Sequence, residues 1–259
     1  EQLLSAKLRT ADGNTMRDSL EEVQRIVMAI KERWPETTVI VRGDSGFSRD
    51  ELMTWLEEQQ CKYIFGLGKN ARLLKIVEDL QIGTEETFDK EQEKVRWFKK
   101  FTYQTQKSWS KRRQVIGKVE HNEKGPNVRF VVTNLEVNGA QATYDQIYCA
   151  RGESENRMKE TQLYLFGERL SGHEFKTNEL RLLFSGFAYV LFETLRRTVL
   201  KGTKARNWRC DTIRGKLLKI GARLKVTVRR LWVELSSHYV YRNLYIEIWK
   251  KLSAMKLQI

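Results

Sequence analysis

From Leu3 to Leu67 the spacing of apolar residues switches repeatedly between the periods of strand and helix, which restricts the fold more than any other feature of the chain. Leu3 to Thr10 reads as a short strand, and Ala11-Asp12-Gly13-Asn14 as a turn. Within Ser19 to Trp34, Leu20, Val23, Ile26, Val27 and Ile30 recur on one helical face, with Asp18 or Ser19 as cap and Pro35 as stop. Thr38 to Val41 is a buried strand, and a Gly-rich turn follows it. Arg49 to Gln59 forms a helix through Leu52, Trp55 and Leu56, and Lys62 to Leu67 forms the next strand. Strand, helix, strand, helix, strand predicts an α/β layer, because each strand needs a helix to cover it.

The texture changes after Leu67. One helix, Ala71 to Asp79, precedes three alternating segments, Glu93 to Thr105, Arg112 to His121 and Val128 to Asn134, with a turn at Glu123 to Asn127. These predict a β-rich insertion over residues 69–144, dividing an α/β core into residues 1–68 and 145–200. From Ile147 onward the chain reads as almost wholly helical: Glu153 to Glu168, Asn178 to Leu200, Asp211 to Lys219 and Val228 to Leu235. Residues 201–259 form a basic helical C-terminal region.

At 259 residues the chain can bury a substantial core. Its charge is lopsided: 47 Lys plus Arg against 33 Asp plus Glu, a net of +14. Nine basic and no acidic residues lie between Lys94 and Lys118, and thirteen basic residues against Asp211 alone between Arg196 and Arg230. Two such tracts in a folded protein favour a polyanionic partner, most simply nucleic acid. Cys61, Cys149 and Cys210 lack the paired spacing of a zinc site and read as reduced thiols. His121, His173 and His238 are equally scattered, and no phosphate-binding loop or Ser-His-Asp set can be assembled. No apolar run reaches the length of a membrane span; the longest, Leu180 to Leu191, is broken by Arg181, Ser185 and Gly186.

Two stretches carry chemistry. In Val41-Arg42-Gly43-Asp44-Ser45-Gly46-Phe47, Asp44 follows a buried strand at its carboxyl end, where α/β sheets place ligands. Downstream, Tyr148, Arg151, Glu155, Lys159 and Gln162 are spaced three, four, four and three apart, which stacks them on one helical face. Taken singly, Asp44 is a turn former, and Arg151, Glu155 and Lys159 are a solvated ion-pair ladder. Taken together, two carboxylates among cations and a phenol suit metal-assisted phosphoryl transfer. Trp109, Arg112 and Arg113 mix an aromatic ring with cations, as surfaces that stack an unpaired base and hold its backbone do. Trp97, Phe101 and Tyr103 fit an ordinary β core equally well.

The Asp44 stretch, together with Tyr148, Arg151 and Glu155, resembles the DDE transposases of bacterial insertion sequences, in the subgroup with a Tyr-Arg-Glu-Lys signature. The resemblance also takes in Leu8-Arg9, Tyr63-Ile64-Phe65-Gly66-Leu67, Arg112-Arg113 and Asn178-Glu179-Leu180-Arg181-Leu182. It implies a ribonuclease H-like core interrupted by a β insertion. It implies Mg²⁺- or Mn²⁺-dependent hydrolysis at transposon ends, then attack of a 3′-hydroxyl on target DNA, by a dimer on paired ends in the bacterial cytoplasm. On this resemblance Asp44 is the second acidic residue and Glu155 the third, both as metal ligands. Arg151 and Lys159 hold phosphates, and Tyr148 contacts the strand near the cut.

Two departures qualify the resemblance. The signature Lys is Gln162 here, with Lys159 as a stand-in. The family's first Asp has no counterpart, since Asp12 and Asp18 lie in a turn and at a helix start. The expectation is a chain beginning inside a longer protein, with the first core strand upstream and little activity by itself. Two alternatives therefore stay open: a DNA-binding remnant without turnover, and a nuclease without strand transfer.

Overall fold

The computed structural model describes residues 2–10, 15–136 and 139–255. The chain divides into two compact units, residues 11–153 and residues 1–10 with 154–259.

The first unit is a five-stranded mixed sheet with helices packed on it. Helix α1 (Thr15–Arg33) leads to strand β1 (Ile40–Gly43), helix α2 (Asp50–Glu58) and strand β2 (Lys62–Leu67). β1 and β2 are parallel, with Gly43 opposite Phe65. Helices α3 (Ala71–Ile76) and α4 (Glu78–Glu91) follow, then β3 (Val95–Tyr103), β4 (Arg113–Asn122) and β5 (Gly125–Thr133). The order across the sheet is β1-β2-β5-β4-β3, and β5 lies antiparallel to β2. The alternating segments of residues 69–144 thus join the same sheet as β1 and β2. The α/β class is as expected. Alternation explains the core: Tyr63 and Phe65 of β2 face one side with Val115, Val119, Phe130 and Val132, while Ile64 faces the other with Ile116 and Val131. Leu52, Met53 and Leu56 of α2 cover the first side.

An ion cluster closes this side. Arg113, 4% exposed, donates to Glu57 at 2.9 Å, Asp50 at 2.6 Å and Thr54 at 2.8 Å. Burial by itself raises the Glu57 carboxyl, but donors from Arg113, Lys111 and Tyr63 outweigh it and hold Glu57 below the usual carboxylate range.

The second unit is built on α7 (Phe175–Arg197). Tyr189 and Phe192 of α7 pack with Leu200, Ile213 and Leu217 from α8 (Cys210–Ile213) and the chain around it, and with Leu244 and Ile248 of α9 (Arg242–Ala254). Strands β6 (Ala222–Val226) and β7 (Leu231–Leu235) form an antiparallel hairpin.

Several expectations change. Leu3 to Thr10 is not a strand; Leu3 packs instead against the second unit's core. Helix α1 starts at Thr15, so Asp18 and Ser19 lie inside it; the turn expected at Ala11 to Asn14 falls outside the described residues. Residues 228–235 are not helical. Val228, Leu231 and Leu235 imitate helical spacing, but Leu231, Val233 and Leu235 alternate and sit opposite Val226, Leu224 and Ala222.

Candidate active site

The acidic turn is shaped by its glycines. A Cβ on Gly43 would lie 2.7 Å from the Phe47 ring, so only glycine lets Phe47 fold back over the strand end. Phe47 then meets Phe65 of β2, ring centroids 6.1 Å apart. Asp44 caps the single 3₁₀ turn Ser45–Phe47, its Oδ1 accepting from Gly46 N at 2.9 Å. The carboxylate is exposed at the carboxyl end of β1, and Oδ2 takes no part in that bond.

Tyr148 comes to the same place by another route. Helix α5 (Ala140–Ala142) runs into a π-helical turn, Thr143–Tyr148, the wider geometry that often marks functional positions. Arg42, next to the acidic turn, donates to Ile147 O at 2.9 Å and ties this segment to β1. The meeting point is Gly66: a Cβ there would lie 2.9 Å from Tyr148 Oη, 3.0 Å from Ser45 N and 3.3 Å from Asp44 C. The Arg151 guanidinium lies 5.6 Å from the Tyr148 ring centroid, within cation–π range. The first unit therefore gathers Asp44, Tyr148 and Arg151 at the carboxyl ends of parallel β1 and β2. Neither Gly66 nor Arg42 stood out among the sequence candidates, although an isolated glycine inside the apolar run Tyr63 to Leu67 signals a close backbone approach.

On the expectation of DNA cleavage that the resemblance gives, Gly66→Ala should lower cleavage about tenfold, since an ångström of misplacement costs up to about a hundredfold, and stability by about 1–3 kcal/mol. The Ser45 backbone would have to give way, and the acidic turn would move with it. Single-turnover cleavage with urea unfolding measures both; undiminished cleavage would remove Gly66 as the floor of the site.

Helix α6 (Arg151–Lys159) carries Arg151, Glu155 and Lys159 on one face, as the spacing predicted. Glu155 and Lys159 are exposed and belong to the second unit, whose boundary falls inside α6. Gln162, in the place of the signature Lys, is exposed on the π turn Glu160–Tyr164. Glu160 has a structural role: it is buried, bonded to Arg196 at 2.8 and 3.1 Å, and accepts from Cys210 Sγ at 3.2 Å. Burial first, and Glu160 second, push the Cys210 thiol up to about 12, so it stays neutral.

Two expected DNA contacts are placed elsewhere. Trp109 is 5% exposed, edge-on to Tyr103 in the core, and offers no face to a base. Arg113 is committed to Asp50 and Glu57. Arg112 is exposed. The tract around them is largely neutralised as well. Lys94, Arg96, Lys99, Lys111, Arg113 and Lys118 all form ion pairs with acidic residues.

A family model described as "Transposase DDE domain group 1" matches residues 1–257, almost the whole chain. The chain belongs to the DDE transposases. No curated protein matches it significantly. Family membership implies transposition-related cleavage of DNA, and the family generally uses divalent metal ions. The donor chemistry of this transposase suits such an ion, since Asp44 and Glu155 are exposed carboxylates and Mg²⁺ prefers oxygen. Among the described residues, no group of three or more His, Cys, Asp or Glu side chains could hold a metal. Nor is any helix of this transposase, among the described residues, long and apolar enough to cross a membrane.

Proposed function

We propose that this chain is the catalytic portion of a cut-and-paste transposase. It cleaves DNA strands at the ends of an insertion element and joins them to target DNA, with Asp44 and Glu155 as ligands of Mg²⁺ or Mn²⁺. The observation that carries this reading is the convergence at Gly66 of the Asp44 turn with the Tyr148 phenol, and the Arg151 guanidinium beside that ring. A bound divalent ion lowers the pKa of an attacking water or hydroxyl and neutralises developing charge on phosphate. Arg151, held near the Tyr148 ring, presents a planar fork to phosphate oxygens, and Lys159 adds a point charge on the same helical face. Tyr148 positions the strand beside the cut. Arg112 contributes a backbone contact, and two copies act on paired ends. The ribonuclease H-like arrangement and its division at residues 69–144 are part of the same proposal.

The test is nicking of duplex DNA bearing the element's ends. It is run for the 259-residue chain and for that chain with any coding sequence preceding Glu1 in its gene. Cleavage is expected from the extended form with Mg²⁺ and none with EDTA, with joined product after addition of target DNA, and little cleavage from the 259-residue chain by itself. Cleavage without joining would leave a nuclease. DNA binding without cleavage in either form would leave a non-catalytic remnant, the reading that Gln162 favours.

A further inference from the structure

The β6–β7 hairpin is two-faced. Alternation and register put Ala222, Leu224 and Val226 opposite Leu235, Val233 and Leu231, so one face is wholly apolar. The large side chains of that face are exposed, from 37% at Leu235 to 77% at Val226. Leu231, Val233 and Leu235 line a cleft of about 660 Å³ whose other wall is Tyr245, Ile246 and Trp249 of α9. The opposite face carries Arg223, Lys225, Trp232 and Glu234. Beyond it the turn is closed by Thr227 N donating to Arg230 O at 2.9 Å and Arg230 N donating to Thr227 Oγ1 at 3.1 Å. This lifts Val228, Arg229 and Arg230 into solvent, and the Arg230 guanidinium lies 6.0 Å from the Trp232 ring centroid.

Its charge separates the hairpin from the other basic tract. From Thr212 to Val233 there are seven basic residues and no acidic one. Among the described residues Arg223, Lys225, Arg229 and Arg230 form no ion pair, whereas six cations of the Lys94–Lys118 tract do. Only Glu234, beside Arg223 at the base, offers a negative group on this face. Leaving exposed arginines clustered without counter-charges repels them from one another; a polyanion relieves that repulsion.

Resting on the DNA reading above, we infer that β6–β7 is an arm that enters the major groove of duplex DNA. Arg229 and Arg230 reach base edges, and Arg223 and Lys225 hold the flanking phosphates. A two-stranded ribbon fits a groove about 12 Å wide, and Arg bonding to guanine O6 and N7 is the commonest specific contact there. The closed turn presents both guanidinium groups at the leading end.

Fluorescence anisotropy of the full chain on duplex DNA, titrated between about 50 and 200 mM salt, tests the arm. The wild type is expected to bind with a steep salt dependence. The Arg223→Ala/Lys225→Ala variant, lacking the phosphate contacts, should lower the log–log salt slope by about 2, at roughly 0.9 per lost contact, and the Arg229→Ala/Arg230→Ala variant should bind at least about tenfold more weakly. Replacing guanine by 7-deazaguanine, which lacks N7, should weaken the wild type but not this variant. Both side chains are exposed, so unchanged thermal unfolding checks that the fold is intact. If the wild type binds and the Arg229→Ala/Arg230→Ala variant matches its affinity, the arm is refuted while the DNA reading stands. Insensitivity of the wild type to 7-deazaguanine refutes the major-groove placement. No binding by the wild type refutes the DNA reading itself.

Discussion

Asp44→Asn is expected to slow strand cleavage by about a thousandfold or more while DNA affinity changes by less than about twofold. The substitution is nearly isosteric, and the amide oxygen can still accept from Gly46 N, the bond that shapes the turn. Gly43, Phe47 and Gly66 therefore keep their places, and the backbone that meets Tyr148 is unmoved. What is lost is a negative oxygen donor for a hard cation. Metal stabilisation of a reacting phosphate is worth several kcal/mol, and about 4 kcal/mol corresponds to roughly a thousandfold in rate. Glu155→Gln should behave alike. Single-turnover nicking beside anisotropy on the same DNA separates chemistry from binding. Cleavage within tenfold of wild type in both variants would strike these carboxylates from the metal site.

Arg196→Met is the largest expected loss of stability, about 3–5 kcal/mol, the range found when one partner of a buried ion pair is removed. Arg196 is 4% exposed and donates to Glu160, to Glu193 at 3.2 Å and to Trp208 O at 3.0 and 2.7 Å. Methionine fills much of the volume but removes the Arg196 donors to Glu160, Glu193 and Trp208 O, while Cys210 and Arg157 still reach Glu160. The guanidinium joins the π turn after α6, helix α7 and the segment before α8, so its loss loosens the core of the second unit. Urea unfolding supplies the number, and adding Glu160→Gln to Arg196→Met should recover part of it by removing one stranded charge. A loss below about 1 kcal/mol would mean that water reaches these carboxylates.

Much was legible along the chain because it depends on neighbours in sequence. The period of apolar residues gave α1, β1, α2 and β2 nearly in place, and helical spacing put Arg151, Glu155 and Lys159 on one face of α6. Local spacing also misled. Val228, Leu231 and Leu235 satisfy a helical template, and only pairing with β6 shows that alternation governs them. Trp109 sits among cations in sequence yet is buried under Tyr103 and Arg113, because its surroundings come from distant strands. Helix α9 falls within residues 201–259, expected to be helical, although that expectation sets no bounds on it.

By itself the sequence determined the α/β alternation, the basic character and the two motifs that mark the family, all set by residue type and short-range spacing. Tertiary structure alone decided that Gly66 brings the Asp44 turn against Tyr148, that most cations of the first basic tract are neutralised, and that the second ends in an exposed hairpin. Those outcomes depend on which remote groups become neighbours. Strand register and burial set that, and no local pattern records it.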